Sequence, residues 1–585
     1  MIRFVVYAAV LYAGFVHNLF CVQEDVLSMV GEFRPGAMTG DCALVVNRIR
    51  LSDGDAWAPM AAWNGESWTP YRSQFGLPGI VLAAVRRATG ESPERVAAFG
   101  SAICGLMSAA LFAAFFSSIG ARVAPVAGHV GVLLTACSPP LLLFAPTIYW
   151  LLPALLAPFV FAWFAYPWAA SSTGRMALFL AGEAVLVCIK ALCGYEYIST
   201  VVAAPAAAIV FHRAALGDGV RSWLPPVAAV GIAGSIGFAG AIGIHAAQIA
   251  AQTGEDGLAV IRERAESRTA RSTGDGSERI GYPVLAPETL PEPVRCFANY
   301  FYQPVLSSPQ TWGSARFAIP LGWLVSGWGL ASVLLWSVRK ANPVTAALVP
   351  AAAVALLAGA SWQALAVNHM VLHGHRNLVV YCVPFTPLAF AVIGAAVARL
   401  GRPRAVAFSL AAAVIGVLLA NLFTIRERVE ASRESQAVAA DRVRAMLRGE
   451  SEPVPLAGRG PAPLLAPLPV NPDHLPSEPA FAPMCGPGLP AEERPIGAYG
   501  WVSMPRERTG RIPVSVVCVR GSEVVPARME YHRLASVEQL LGKQAACVAF
   551  RAAIPPRAGP NERLRLFVVP VRSDLPIIEL TSSEK

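Results

Sequence analysis

Three acidic residues follow the first apolar segment of the chain and are candidates for proton transfer. Glu24 and Asp25 come directly after that segment, and Asp41 lies in the same polar stretch. A carboxylate fixed just outside a membrane can remove a proton from an acceptor hydroxyl when it lies within hydrogen-bond reach. Acidic residues at this position are also common in solvated loops, so the residue types alone leave both interpretations open.

Two further charges lie within a single apolar segment. Glu183 and Lys190 are seven residues apart, about two turns, and would share one face of a helix. A charge inside a bilayer costs about 2.5 to 3.5 kcal/mol on insertion scales, so both residues require an explanation. Either they compensate charge together with neighbouring helices, or Lys190 faces a cavity and holds an anionic group such as a lipid phosphate.

The same segment continues into Tyr195, Glu196 and Tyr197, a carboxylate between two aromatic rings. Tyrosines at such a position usually anchor a helix at the membrane surface, which makes Glu196 the unusual member. Aromatic residues also collect in the first loop, where they would stack on sugar rings or lie in the lipid headgroup region. These residues are Trp57, Trp63, Trp68 and Tyr71.

A later turn is rich in cationic and imidazole side chains. It contains His369, His373, His375 and Arg376, and the first two of these, four residues apart, would share a helix face. The cluster fits a cationic rim for a phosphate or pyrophosphate, a divalent metal site or a structural hydrogen-bonding group. No carboxylate lies in the same segment, and we therefore expect no resident metal.

The composition predicts that helices crossing a membrane position these residues. The chain has 585 residues, of which 55% are hydrophobic and 15% charged, whereas soluble domains carry about 25% charged residues. The net charge of +9 is dispersed among apolar runs, which excludes a nucleic-acid-binding surface. Eleven apolar segments predict spans, namely 3–21, 96–118, 123–140, 149–168, 176–194, 197–212, 223–250, 316–338, 343–366, 377–398 and 405–424.

The basic residues of the short connections predict the orientation. One set of connections contains ten Lys and Arg residues, and the short connections on the opposite side contain only Arg376. Because basic loops stay in the cytoplasm, the N-terminus is predicted to be cytoplasmic and, with eleven spans, the C-terminus extracytoplasmic. The first segment is expected to be an uncleaved anchor, because residues 17–21 form a poor signal-cleavage site.

Three larger polar pieces then share the outer side: residues 22–95, residues 251–315 and everything after 425. The membrane domain is predicted over residues 1–425, and a charged helix with a Pro-rich linker over 426–495. Short β-branched runs at 512–519, 524–531, 545–552 and 563–569 predict an extracytoplasmic β-sandwich over 496–585. Cys42 and Cys296 fall in two of the outer pieces, where a disulfide between them is compatible with the compartment.

Several short motifs resemble the GT-C superfamily of integral membrane glycosyltransferases, which includes protein mannosyltransferase-like and lipid A aminoarabinose transferase-like enzymes. They are Glu24-Asp25 after the first span, the segment 73–77, the turn 194–197 and the His-rich turn before Asn377. The likeness covers roughly residues 1–425, and it implies an all-α, GT-C-like polytopic bundle in a bacterial inner membrane. The C-terminal domain, which contains Gly500-Trp501-Val502, resembles accessory carbohydrate-binding or Ig-like sandwiches.

The resemblance implies an inverting transfer from a polyprenyl-phosphate-linked sugar donor to a lipid, glycan or protein acceptor. It makes Asp25 the first choice for the base, with Glu24 beside it and Asp41 as the competing candidate. Many members of the family need no metal. The donor phosphate would be held by Lys190, His373, His375 and Arg376, and the substrate would be lined by Tyr195, Glu196, Tyr197 and His369.

Three other functions fit a protein of this kind. A transporter or flippase for a lipid-linked glycan would use Glu183 and Lys190 along a path through the bundle, although no internal repeat is visible in the sequence. A glycan polymerase or ligase would favour one very large outer loop late in the chain. A non-enzymatic membrane scaffold would need none of the acidic residues for turnover.

Overall fold

The computed structural model describes two compact units, one built almost wholly from residues before 423 and the other from residues after it. In the first unit the described residues are 2–17, 40–51, 57–62, 69–269, 292–307, 318–366, 369 and 378–399, while Trp63 and Trp68 are grouped with the second unit. In the second they are 441–445, 448, 481–483, 496–505, 514–520, 523–526, 528–533, 545–554, 564–570 and 578–580.

The first unit is a bundle of α-helices with two very short strand pairs. Its helices are α1 (Ile2–His17), α2 (Gly40–Arg50), α3 (Leu77–Thr89), α4 (Pro93–Arg122), α5 (Pro125–Ala136), α6 (Pro139–Phe144), α7 (Leu152–Ala169), α8 (Thr173–Cys193), α9 (Ile198–Ala215), α10 (Val220–Thr253), α11 (Gly257–Thr269), α12 (Glu292–Tyr302), α13 (Leu321–Ser337), α14 (Pro343–Ala346), α15 (Leu348–Leu365), α16 (Val379–Cys382) and α17 (Phe385–Arg399). The strands are β1 (Ala61–Trp63) with β2 (Trp68–Pro70) and β3 (Pro304–Ser307) with β4 (Ala318–Pro320).

Six helical segments among the described residues are long and apolar enough to cross a membrane. They are Arg95–Arg122, Leu152–Ala169, Thr173–Cys193, Ile198–Ala215, Val220–Thr253 and Pro343–Leu365. Only 28% to 61% of their most apolar windows is buried inside the protein, so a large apolar surface faces outward and needs lipid as its solvent. The unit is therefore an all-α bundle embedded in a membrane.

Four shorter apolar helices, α1, α5, α13 and α17, coincide with four more of the segments predicted to be spans. The remaining predicted span, 405–424, lies outside the described residues, and the count of eleven stays a prediction. The helix α9 occupies the centre of the bundle and packs on α7, α10 and α15. Its interior face is almost entirely apolar, which explains why hydropathy alone located it.

Capping residues define where the central helices begin and end. The Ser92 hydroxyl accepts a hydrogen bond from the Arg95 backbone N–H at the start of α4, and Ser172 does the same for Arg175 at the start of α8. Gly254 ends α10 in the left-handed region with φ 72°, a conformation that glycine adopts without steric cost.

The segment predicted as the first outer loop contains two packed helices, α2 and α3. The Arg48 side chain is buried and donates to the carbonyls of Ala58 and Leu51. Arg86 of α3 donates to the backbone carbonyls of Ile49 and Arg50, which end α2. The loop is therefore a folded cover on the bundle, and its apolar side joins the bundle core through α2.

The second unit contains two four-stranded antiparallel sheets. Its strands are β5 (Phe481–Pro483), β6 (Ile496–Pro505), β7 (Val514–Arg520), β8 (Glu523–Pro526), β9 (Arg528–Arg533), β10 (Ala545–Ile554), β11 (Leu564–Pro570) and β12 (Ile578–Leu580). The strand orders are β5-β6-β10-β9 and β12-β11-β7-β8. The longest pairing joins β6 to β10, with Ala545 opposite Pro505 and Ile554 opposite Ile496.

Two features of this unit lie before residue 496, in the segment predicted as charged helix and linker. Val443, in the helical turn 441–445, is fully buried against Val517, Val519 and Phe567. The strand β5 pairs with β6. Parts of the predicted linker therefore belong to the folded β unit.

Candidate functional site

The turn between α8 and α9 is the centre of a buried polar cluster. The Gly194 backbone N–H donates to the Lys190 carbonyl at 3.1 Å and ends α8. Three residues later, Tyr197 has a φ of 66°, a conformation that L-residues with large side chains rarely adopt. This backbone turns the chain sharply and directs Tyr195, Glu196 and Tyr197 to different sides of the turn.

Lys190 and Glu196 form the charged part of this cluster. The Lys190 side chain is 2% exposed, and its ammonium donates to the carbonyl of Gly194. The Glu196 side chain is 6% exposed, and its carboxylate, like the Lys190 ammonium, lies against Gly194. Because an isolated buried charge is very costly, the carboxylate and the carbonyl together explain how Lys190 is retained.

Glu183 does not compensate Lys190. Its carboxylate is completely buried in α8, and neither oxygen has a hydrogen-bond partner among the described residues. The interpretation of these two residues as part of one compensated charge network is therefore not supported by the contacts of α8. Lys190 obtains its counter-charge from the turn beyond the helix instead.

Gly194 lies very close to the polar side chains. A Cβ atom at this position would lie 2.3 Å from Gln74 Oε1 and 2.5 Å from Glu196 Oε2. Real Cβ atoms are not found at such distances, so only glycine lets Gln74 and Glu196 approach the end of α8 this closely. Gln74 belongs to the loop between β2 and α3, and it is completely buried.

A second group extends from the turn toward α10. The Tyr195 hydroxyl and His245 Nδ1 are 2.7 Å apart, and His245 is fully buried. Gln248, one turn further along α10, donates from Nε2 to the carbonyls of Trp57 and Phe75 at 2.8 and 3.3 Å. Burial, with smaller contributions from Cys188 and Glu196, raises the pKa of the Tyr195 phenol.

A third group of aromatic rings packs on the other side of the turn. The Tyr197 ring makes edge contacts with Trp362 at 5.7 Å and with His369 at 6.1 Å between centroids. Trp362 and His369 also contact each other edge-on at 5.5 Å. All three side chains are buried. These rings pack as a core and fix the position of Tyr197.

The loop 71–76 covers the cluster and is attached to the bundle at both sides. Arg72 makes an ion pair with Glu255, with Nη1 2.7 and 2.8 Å from the two carboxylate oxygens. The hydroxyls of Tyr71 and Tyr149 are 3.5 Å apart. The ends of α8, α10 and α15 and the start of α9 therefore meet the first loop at one end of the bundle.

The structure brings together five of the site residues predicted from sequence: Lys190, Tyr195, Glu196, Tyr197 and His369. The predicted base residues Glu24 and Asp25 lie outside the described residues, as do His373, His375 and Arg376. Asp41 is the second residue of α2, but its side chain is outside the described part, as is that of Cys296. The placement of these residues at the site, and the Cys42–Cys296 disulfide, stay predictions.

Three members of the cluster were not predicted as site residues, namely Gln74, His245 and Gln248. Gln74 was noticed only as part of a family-like segment. His245 and Gln248 lie in a long apolar segment, and polar residues in such a segment are themselves a signal of function. Their proximity to Glu196 depends on contacts between residues far apart in sequence, which local patterns do not reveal.

Within the described ranges, no group of three or more His, Cys, Asp and Glu side chains is arranged to hold a metal ion. The cluster offers instead one ammonium, one carboxylate, two amides, two phenols and two imidazoles, a set suited to proton transfer and to hydrogen bonding. No model of a known protein family matches the sequence, and no curated protein matches it.

Proposed function

We propose that this chain is a membrane glycosyltransferase, which moves a sugar from a polyprenyl-phosphate-linked donor to an acceptor on the extracytoplasmic side. The observation that carries the proposal is the buried Lys190–Glu196 pair, covered by the first loop at one end of a membrane-embedded helix bundle. Ionisable side chains are kept in such a setting chiefly where they serve a substrate or ion.

The proposed topology places this cluster outside the cytoplasm. The short connections at the opposite end of the bundle contain Arg122, Arg175 and Arg213, and basic short connections stay in the cytoplasm. With eleven spans the N-terminus is cytoplasmic and the β unit, as a sandwich of its two sheets, is extracytoplasmic. The membrane is the inner membrane of a bacterium.

The proposed reaction is a single inverting displacement. Asp25, or else Glu24 or Asp41, takes the proton of the acceptor hydroxyl, and the acceptor oxygen attacks the anomeric carbon of the donor sugar. The bond between that carbon and the phosphate oxygen breaks, and the polyprenyl phosphate leaves with the electron pair. Lys190, with His373, His375 and Arg376, neutralises the leaving phosphate.

The contacts of Lys190 add a condition to this scheme. Its ammonium already has the Glu196 carboxylate and the Gly194 carbonyl as neighbours. A donor phosphate must therefore compete with Glu196 for this cation. In the proposal Glu196 holds Lys190 in place until the donor binds. The residues that line the substrate site are Glu196, Tyr195, Tyr197 and His369.

The test is envelope-glycan mass spectrometry of a deletion strain complemented with variants. We expect the deletion to remove one sugar from one glycoconjugate, the wild-type chain to restore it, and Asp25→Asn to fail although the protein still inserts. Asp218→Asn, which removes the partner of Arg213 at the opposite end of the bundle, is the matched control and should restore the sugar. An unchanged glycan profile in the deletion strain contradicts the proposal.

Glu183 favours one alternative, a flippase for lipid-linked glycans. Its carboxylate is buried in the middle of α8 without a hydrogen-bond partner among the described residues, as expected for a group that binds and releases a proton during transport. A flippase should move a fluorescent lipid-linked sugar across vesicles and lose this activity in Glu183→Gln. A transferase should tolerate that substitution.

A further inference from the structure

Gln74 is the most unusual side chain of the cluster. It is completely buried, and neither its Oε1 nor its Nε2 has a hydrogen-bond partner in the described part of the chain. Buried amides in proteins are almost always satisfied, and each one that is not calls for an explanation. A leucine would fill the same space without the cost of desolvating an amide, so packing among the described residues gives no reason for glutamine here.

Two neighbours from α10 show the same property. Gln248 uses its Nε2 to hold the loop, but its Oε1 has no partner among the residues the structure describes. His245 uses Nδ1 for the Tyr195 hydroxyl, and its Nε2 is likewise buried without a partner there. The two residues are three apart on one helix and therefore share a face.

The three side chains lie in one region. Gln248 donates to the backbone carbonyl of Phe75, the residue next to Gln74. The Phe75 and His245 rings are 6.5 Å apart in an edge contact. Gln74 Oε1 in turn lies against Gly194, one residue before Tyr195, the partner of His245. The loop, the turn and α10 thus bring together hydrogen-bonding atoms that have no partner among the described residues.

The chemistry of these atoms indicates the ligand. They comprise one amide donor, two amide acceptors and one imidazole nitrogen that donates or accepts according to its tautomer. Hydroxyl groups both donate and accept, and so match a mixed set of this kind, whereas an anion would find few donors and the nearby Glu196 carboxylate. The aromatic rings of Phe75 and Tyr195 both pack against the His245 ring in the same region.

We propose that Gln74, His245 and Gln248 form a subsite for the hydroxyl groups of a carbohydrate, separate from the charged Lys190–Glu196 pair. The proposal rests on the proposed function, and it names the residues that bind the sugar hydroxyls, which the proposed function does not. The carbohydrate is the sugar of the lipid-linked donor or the sugar of the acceptor, and these two sources share the same chemistry.

The experiment measures binding to the full-length chain in nanodiscs. The probes are undecaprenyl phosphate, undecaprenyl phosphate carrying glucose, galactose, mannose or arabinose, and the methyl glycosides of these four sugars. Gln74→Leu is the test variant, because removing an amide that has no partner in the described part of the chain should leave the fold intact. The control is Ser332→Ala, which removes a buried hydroxyl that also has no partner among the described residues. Ser332 lies on α13, a helix that contributes no residue to the subsite.

We expect at least one sugar-bearing probe to bind Gln74→Leu about 10-fold more weakly than wild type, since one or two hydrogen bonds are lost. Undecaprenyl phosphate should bind both proteins equally, and Ser332→Ala should behave as wild type. Loss for a lipid-linked sugar identifies the donor, and loss for a methyl glycoside alone identifies the acceptor.

The two proposals fail in different ways. Suppose that a lipid-linked sugar binds wild type and Gln74→Leu with affinities that agree within two-fold, and that every methyl glycoside does the same. The subsite is then refuted, while binding of the donor is supported. If only a methyl glycoside depends on Gln74 and no lipid-linked sugar binds, the subsite stands and the proposed donor is wrong. If no sugar-bearing probe binds the wild-type chain, the subsite is refuted. The explanation is then that solvent alone satisfies these buried polar atoms.

Discussion

The two ends of α8 hold their cations in opposite ways. At the start of the helix, Arg175 is exposed, donates to the Ser171 hydroxyl and lies over the Trp168 ring with 5.5 Å between the guanidinium carbon and the centroid. At the other end, Lys190 is buried beside Glu196 and the Gly194 carbonyl. Water and a ring are sufficient for the first cation, whereas the second depends on a dedicated carboxylate.

The same contrast holds for other helices. At the end of the bundle with Arg175, Arg339 lies over Trp336 at 5.2 Å, and Arg213 pairs with the half-buried Asp218 at 3.0 Å. These contacts anchor helices at a membrane surface, and each of them needs only one partner side chain close by in the sequence. The difference teaches that the end with Lys190 buries its cation completely, whereas the cations at the opposite end stay in contact with water even where, as for Arg213, a carboxylate lies beside them.

The largest expected effect concerns the side of the membrane on which each end lies. Alkaline phosphatase fused after residue 60 or after residue 500 should be active, and green fluorescent protein at the same positions should be dark. Fusions after Ser171, at the end with Arg175, should give the reverse pattern. If the fusions after residues 60 and 500 both report the cytoplasm, the proposed topology and function fail together.

The next largest effect is the loss of stability on removing a buried cation, which we expect to exceed the loss on removing an exposed one. Lys190→Met removes the cation beside the buried Glu196 carboxylate, and we expect the free energy of unfolding to fall by about 3 to 5 kcal/mol. Denaturation by SDS in mixed micelles measures it. The double variant Lys190→Met/Glu196→Gln should recover most of the loss.

Arg175→Met is the matched substitution at the exposed end. It removes one cation–π contact, worth about 0.5 to 1 kcal/mol at an exposed site. Equal losses for Lys190→Met and Arg175→Met would show that the two ends do not differ as described.

A smaller effect compares two glycines at the two ends of α8. Gly194→Ala places a methyl group against Gln74 and Glu196, and crowding of this kind typically costs about 1 to 3 kcal/mol. Gly174→Ala meets nothing within 4 Å and should stabilise the helix by up to about 1 kcal/mol. Thermal unfolding in detergent measures both. A neutral Gly194→Ala would mean that the two side chains move aside freely.

The smallest effect is at the ion pair that attaches the covering loop. Arg72 and Glu255 are 32% and 46% exposed, and water screens such pairs, so Arg72→Ala should change the unfolding free energy by no more than about 1 kcal/mol. A loss above about 2 kcal/mol, measured in the same detergent, would show that this contact belongs to the buried cluster instead.

Much of the helical architecture follows from local sequence. The segments predicted at 149–168, 176–194 and 197–212 match α7, α8 and α9 within a few residues, because long apolar runs determine both prediction and structure. In the β unit, β-branched runs located β7, β10 and β11 in the same way. The helices α2 and α3 were not predicted, because each is stabilised by long-range packing and by arginine contacts to distant carbonyls.

The candidate site was predictable only in part. Lys190 and Glu196 are six residues apart across a turn, so their proximity follows from the end of one helix and the start of the next. His369 joins them through ring contacts with Tyr197 and Trp362, which depend on how α15 packs on α9. Gln74 approaches because position 194 has no side chain, a three-dimensional reason that no local pattern expresses.

The length of α10 links the cluster to the lipid around it. With 34 residues the helix spans about 51 Å, while the hydrocarbon layer of a bilayer is about 30 Å thick. A helix this long tilts or extends past the acyl chains, and its tilt depends on their length. His245 and Gln248 belong to this helix, whereas Gln74 belongs to the loop. Lipids of different chain length should therefore change the positions of His245 and Gln248 relative to Gln74.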